Sequence, residues 1–258
     1  MTELIFPTEL HQQTIEVITD FFLVQTKVDT ILLVNSLARG KASAESDIDM
    51  AILLPQSTTI AEISKLEETW QSYLNSSRPL NQYKKSNKFA QIHLDIIDGI
   101  FEPSDWEDGQ SVDSFELEIG NRLFYSAPLS PEGEHFKKLK TEWLPYYDNK
   151  KQAQRLRLSK ESCLYDLELI PFFIERGLHF QAFDKIYSAF QKFLQTLFIK
   201  HKTYPIAYNK WIKEQVVEIL KLPDLYNDLS NLISVNNIES NELIDKATTL
   251  NRLLNQYC

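Results

Sequence analysis

The chain has 258 residues, of which 43% are apolar and 24% charged; that is enough for a real core in one large domain or two small ones, and it excludes a disordered or collagen-like chain. The net charge of −9 argues against a general nucleic-acid binder, which needs a basic footprint to neutralise phosphates. Charge is also uneven: residues 1–148 hold 12 basic and 24 acidic side chains against 15 and 12 in residues 149–258, so two units of different composition are expected, with room in the first for an acidic site.

Taken in chain order, Thr8 is a suitable N-cap for a helix to about Gln25, with Leu10, Ile15, Ile18 and Phe22 at helical spacing. Asp29–Asn35 reads as a buried strand and Ser36–Ser46 as a small, polar loop or short helical turn. Ile48–Leu54 is a second strand, stopped by Pro55. Thr58–Ser77 is helical, Arg78–Lys88 a polar, basic loop, and Phe89–Ile97 a third strand by its alternation. Residues 102–118 carry seven acids (Glu102, Asp105, Glu107, Asp108, Asp113, Glu116 and Glu118) and no base, which reads as solvated surface. The sharper alternative is that Glu116 or Glu118 lines a pocket for a polycationic molecule.

A short helix over Ser114–Asn121 and a last strand at Leu123–Tyr125 follow, and Pro128, Pro131 and Gly133 mark a connection. From Asp148 the period is helical. The expected helices are 150–176, kinked at Pro171 with Gly177 as C′ residue, an apolar stripe from Phe183 to Phe198, Asn209–Leu220 and 239–257. The expected fold is α+β: a mixed β-sheet with flanking helices over residues 1–130, then an all-α bundle over 131–258.

Two cysteines, Cys163 and Cys258, cannot make a disulfide framework, and the N-terminus, Met1-Thr2-Glu3, has acid where a secretory signal carries base. No apolar run approaches the ~18 residues of a membrane span. A cytoplasmic setting without membrane association is expected.

The chemistry concentrates in Asn35-Ser36-Leu37-Ala38-Arg39-Gly40-Lys41 and Ser46-Asp47-Ile48-Asp49. Strand side chains alternate faces, so Asp47 and Asp49 point the same way. Two adjacent carboxylates at the start of an apolar strand repel unless a cation sits between them, and Mg²⁺ favours one or two carboxylates plus phosphate oxygens. Ser36 opens a turn of small residues whose backbone N–H groups can face an anion, with Arg39 and Lys41 adding positive charge. Asp95 lies in the next strand and completes a carboxylate triad if that strand pairs beside Asp47 and Asp49. Asp98 has the opposite parity and precedes Gly99. His93 shares the face of Asp95, but a lone strand histidine is ordinarily a hydrogen-bonded structural residue.

Strand, Ser36, Asp47-Ile48-Asp49 in a second strand and a distant strand acid together resemble the polymerase-β-like nucleotidyltransferase superfamily. Ser36-Leu37-Ala38-Arg39-Gly40 is similar to the S-x-A-R-G of its small bacterial members. The helical second half resembles, in broad pattern, the C-terminal domains of aminoglycoside-type nucleotidyltransferases, and Tyr204-Pro205…Lys210-Trp211 is similar to one segment of them. The resemblance implies Mg²⁺-dependent transfer of a nucleoside monophosphate, AMP from ATP, to a hydroxyl of a small molecule, a cationic one among the candidates, with pyrophosphate released. Asp47, Asp49 and Asp95 would hold two Mg²⁺ ions, and Asp95 would help deprotonate the acceptor. Asn35, Ser36, Arg39, Lys41 and Lys210 would meet the nucleotide. Asn35 stands where the family has Gly; Asn is among the residues that best tolerate the left-handed conformation. Two alternatives stay open: AMP transfer to a protein in a toxin–antitoxin type of system, and nucleotide binding or protein interaction without catalysis.

Overall fold

The structure, a computed structural model, describes residues 4–25, 27–104 and 111–258. Helix α1 (Glu9–Leu23) starts at Thr8, whose hydroxyl accepts from His11 N. Strand β1 (Thr30–Leu33) runs into a single helical turn, α2 (Asn35–Ala38), and strand β2 (Ile48–Leu53) returns antiparallel to β1. Helix α3 (Ile60–Ser76) carries a capping box between Thr59 and Glu62, and α4 (Arg78–Lys84) follows directly. Strand β3 (Ile92–Ile97) lies parallel to β2; a parallel neighbour needs a long crossover, which α3 and α4 supply. A two-residue β4 (Ala127–Pro128) joins the far edge of β1, giving the order β3-β2-β1-β4.

One sheet face is packed. Ile31, Leu33, Ile48, Met50 and Ile52 meet Ile15, Ile18 and Phe22 of α1, Trp70 of α3 and Leu80 and Tyr83 of α4. Burying a large apolar side chain contributes about 1.5–3 kcal/mol, so this face fixes the registers. On the other face the character changes along the strands: Leu32, Ala51, Leu53 and Ile97 are buried, whereas Asp47, Asp49, His93 and Asp95 are half-buried or exposed.

The described residues of 1–101 and 118–144 form one unit, and those of 102–117 and 145–258 the other. The division expected near residue 130 therefore falls after Leu144. Pro128, Pro131 and Gly133 do not end the first unit, because they lead into helix α6 (Glu134–Trp143), which Asp29 ties to β1. The Asp29 carboxylate accepts from the backbone N–H of His135 (2.9 Å) and Phe136 (2.9 Å), the capping that Gly133 itself cannot provide. The basic loop expected over Arg78–Lys88 is largely α4, since Leu80 and Tyr83 have a core to enter. The strand expected at Leu123–Tyr125 is instead a π-helical turn, Gly120–Phe124, continuing α5 (Phe115–Ile119). Tyr125 N closes that turn on Gly120 O at 2.8 Å.

In the second unit, α7 (Asn149–Glu175) absorbs Pro171, and Gly177 takes φ +70°. Leu178 N reaches Phe173 O and Gly177 N reaches Ile174 O, the Schellman closure that lets α8 (His179–Lys200) fold back along α7. Helices α9 (Pro223–Ile233) and α10 (Glu242–Tyr257) complete the apolar core. The helix expected over Asn209–Leu220 is only a π-helical segment, Glu214–Ile219. The Gln215 side chain instead satisfies Ile206 N, Ala207 N, Ala207 O and Lys210 O, holding the preceding segment as a loop.

The acidic stretch is not simply solvated surface. Glu116 is fully buried, with Arg155 donating to both of its oxygens; Arg155 also reaches Asp113 at 2.7 Å, and Gln195 and Tyr147 close the network. Asp105, Glu107 and Asp108 lie outside the described residues. Cys163 is buried, as expected of a small hydrophobe. Among the described residues no helix is long and apolar enough to cross a membrane.

Gly133 has an ordinary φ of −76°, so its constraint is space: a Cβ there would lie 2.2 Å from Asp29 Oδ2. Gly133→Ala is expected to push the carboxylate off the α6 N-terminus and cost about 1–3 kcal/mol in urea unfolding. Asp29→Ala is expected to cost a similar amount, and the double variant little more than either single one. Fully additive losses would show that the two positions act independently.

Candidate functional site

The site begins where β1 ends. Val34 N donates to Asp49 O at 3.1 Å, so the chain turns beside the Asp47–Asp49 segment. At that point Asn35 takes φ +57°. This is the left-handed region that glycine adopts freely and asparagine tolerates best among side-chain-bearing residues. The turn then closes on itself, with Arg39 N on Asn35 O, Gly40 N on Leu37 O and Lys41 N on Ser36 O. Leu37 is buried beneath it, Ser36 and Arg39 are half-buried, and Lys41 is exposed.

The β2–β3 register sets Asp49 opposite His93 and Ala51 opposite Asp95. Asp47, Asp49 and His93 each offer one ligand atom within 4.8 Å of the others. His93 Nε2 stands 3.6 Å from Asp47 Oδ2. Two carboxylates and an imidazole form a donor set that suits a divalent cation, which relieves the repulsion between the acids. Asp95 shares this face one strand step further on, and its Oδ2 lies 3.5 Å from Arg122 Nη2. Arg122 also reaches Glu118, four residues before it, at 3.5 Å. Asp98 lies beyond β3, and its Oδ1 accepts from Ile100 N at the turn where Gly99 takes φ +77°.

A second layer fixes the approach to Asp47. The carbonyl of Ser46 accepts from Tyr83 Oη at 2.7 Å and faces His11 Nε2 at 3.1 Å. A carbonyl can only accept, so Nε2 carries the proton and Nδ1 accepts from Thr8 Oγ1 at 2.7 Å. Burial, followed by the nearby charges of Asp47 and Asp49, pushes the Tyr83 phenol above its ordinary range; it therefore stays a donor through neutral and mildly alkaline pH. Reading the sequence did not single out Tyr83 or His11. Helical spacing from Leu80 to Tyr83, a buried pair within a polar segment, was the available signal for Tyr83.

Lys210 belongs to the other unit, where its side chain is exposed and its carbonyl accepts from Gln215 Nε2 at 3.0 Å. Glu116 is committed to Arg155 and Glu118 to Arg122, so neither is a free pocket acid. A cavity of about 1310 Å³ lies against α2 and β4. Arg39 lines it, but Asp47, Asp49 and His93 do not.

Tyr83→Phe removes one of the two donors on the Ser46 carbonyl. The expected outcome is a stability loss of about 1 kcal/mol with divalent-cation affinity, read by calorimetric titration, reduced by roughly tenfold, the lower end of what outer-shell groups contribute at metal sites. Unchanged affinity would show that Asp47 is positioned without this hydrogen bond.

Residues 16–99 match the family model described as Polymerase beta, Nucleotidyltransferase, a span that contains β1, α2, β2 and β3 with every residue of the acidic face. A solved nucleotidyltransferase-like protein from Exiguobacterium sibiricum 255-15 is similar over 96% of this chain and 75% of its own, at 13% identity and a TM-score of 0.42. No curated protein sequence matches the chain. The family match covers the turn and both acid-bearing segments, so residues 16–99 are similar to the nucleotidyltransferase domains of the polymerase-β-like superfamily.

Proposed function

We propose that the protein transfers a nucleoside monophosphate, AMP from ATP, to a hydroxyl of a small molecule and releases pyrophosphate. The observation that carries this reading is the carboxylate pair Asp47 and Asp49 on one strand face beside a turn that opens on a left-handed Asn35. In this reading Asp47, Asp49 and Asp95 would hold the Mg²⁺ that accompanies the nucleotide. The metal would supply neutralisation of triphosphate charge and stabilisation of the entering and leaving oxygens.

The chain's own residues do the positioning. The Asn35–Ser36 turn holds the phosphates, and Arg39 and Lys41 add positive charge beside it. Lys210 is proposed to contact the nucleotide as well, on the strength of its sequence context alone. Asp95 takes the proton of the acceptor hydroxyl as the new O–P bond forms at the α-phosphorus. The bond from that phosphorus to the bridging oxygen breaks, and the electron pair leaves with pyrophosphate. Catalysis of this kind is mostly orientation and electrostatics.

A small acceptor is favoured over a nucleic acid by the acid excess of residues 1–148, with 24 acidic against 12 basic side chains. The same excess supports a cationic acceptor, although Asp113 and Glu116 are already paired with Arg155. Two free cysteines support a reducing, cytoplasmic setting.

The test is pyrophosphate release and label transfer from α-labelled ATP with Mg²⁺ across a panel of hydroxylated acceptors. Asp47→Ala or Asp49→Ala is expected to lower turnover by at least about 10²–10³-fold while leaving the melting temperature near wild type. Asn35→Gly is expected to keep nucleotide affinity, and Asn35→Val to lose it, since a β-branched residue is strained at this φ. Full pyrophosphate release by either aspartate variant would overturn the assignment. Nucleotide binding without transfer to any acceptor would identify a non-catalytic binder.

A further inference from the structure

We propose that His93 is a direct metal ligand at this site, joining Asp47 and Asp49 on one ion, so that the centre has a mixed nitrogen–oxygen donor set and favours Mn²⁺ and related first-row divalent metals over Mg²⁺ to a degree that an all-carboxylate site does not. The inference rests on the nucleotidyl-transfer reading for the place of the metal, and adds to it the ligand and the class of ion.

Three observations carry it. The parallel register puts His93 directly across from Asp49, and strand alternation sends both side chains to the same open face. Nε2 of His93 lies 3.6 Å from Asp47 Oδ2, and one ligand atom from each of the three residues falls within 4.8 Å of the others. This spread suits three ligands around one ion that draws them in by a fraction of an ångström each. Asp95, the acid expected to complete a triad, is not a member of this group; its carboxylate faces the Arg122 guanidinium at 3.5 Å. Among the described residues, the third donor grouped with the aspartate pair is therefore an imidazole.

The chemistry follows from the donor. Mg²⁺ is a hard ion that takes oxygen and dehydrates reluctantly, whereas imidazole nitrogen suits the later first-row divalent metals, whose affinity for nitrogen rises along the series from Mn²⁺. One neutral nitrogen in place of a third carboxylate also leaves the site less negative, which weakens its hold on Mg²⁺ more than its hold on a metal that gains covalency from nitrogen.

The experiment is a titration of the whole protein with MnCl₂ and, separately, MgCl₂. Electron spin echo envelope modulation on the Mn²⁺-loaded sample reads directly whether a nitrogen is bound. The wild type is expected to show ¹⁴N coupling from one imidazole. His93→Ala should lose that coupling and bind Mn²⁺ at least about tenfold more weakly. His93→Asp should lose the coupling but retain Mn²⁺, with the Mn²⁺ to Mg²⁺ affinity ratio lowered. Asp95→Asn should retain the coupling. Mn²⁺ that depends on Asp47 and Asp49 but shows no ¹⁴N coupling, or coupling that survives His93→Ala, would overturn the role of His93 and leave the nucleotidyl-transfer reading standing. Mn²⁺ binding that is absent in the wild type, or unchanged by Asp49→Asn, would overturn both.

Discussion

Like charges held side by side by strand alternation are the constraint on which the site depends. Asp49 in β2 and Asp47 just before it project to the same side because Ile48 and Met50 are needed on the other, where they enter the core with Phe22 and Tyr83. The hydrophobic packing of one face thus holds the electrostatic tension of the opposite face in place. The backbone cannot carry these side chains to the opposite face without unpacking the sheet, and a cation between them relieves their repulsion. The parallel crossover then brings His93 and Asp95 to the same open edge.

Much of this was legible in the sequence. The apolar run Ile48–Leu54 stopped by Pro55 and the alternation in Phe89–Ile97 gave the strands, their parity gave the shared face, and Asn35 stood where a left-handed residue was needed and takes φ +57°. Pairing geometry was not legible. Parity alone leaves Asp95 and His93 equivalent, and only the register shows that His93, not Asp95, is opposite Asp49. Arg122 was invisible for the same reason: its partner Asp95 is distant in the chain, and the turn that carries it reads as strand by composition but folds as a π-helical turn. Helix α4 was hidden because its polar residues outnumber the two, Leu80 and Tyr83, that reach the core.

Charge counting was the least reliable guide to function, and the acidic stretch shows why. Asp113 and Glu116 look like surface when read against their neighbours, but the base that neutralises them, Arg155, lies in α7 some forty residues later. Burying such a group is tolerable only when every oxygen is satisfied, and here Arg155, Tyr147 and Gln195 share that work. A second buried cluster on α7 and α8 follows the same rule: Asp166 accepts from Lys185, Ser188 and Lys192. Several charged side chains are thus internal to the second unit and unavailable to a ligand. The acids gathered at the β2–β3 edge, by contrast, are half-buried or exposed.

The most direct measurement is an anomalous-diffraction structure of the protein with Mn²⁺ and a non-hydrolysable ATP analogue. The geometry predicts an anomalous peak bridging the side chains of residues 47 and 49, with the triphosphate lying against the backbone of residues 35 and 36. A metal bound elsewhere, or a nucleotide whose phosphates avoid that turn, would contradict it.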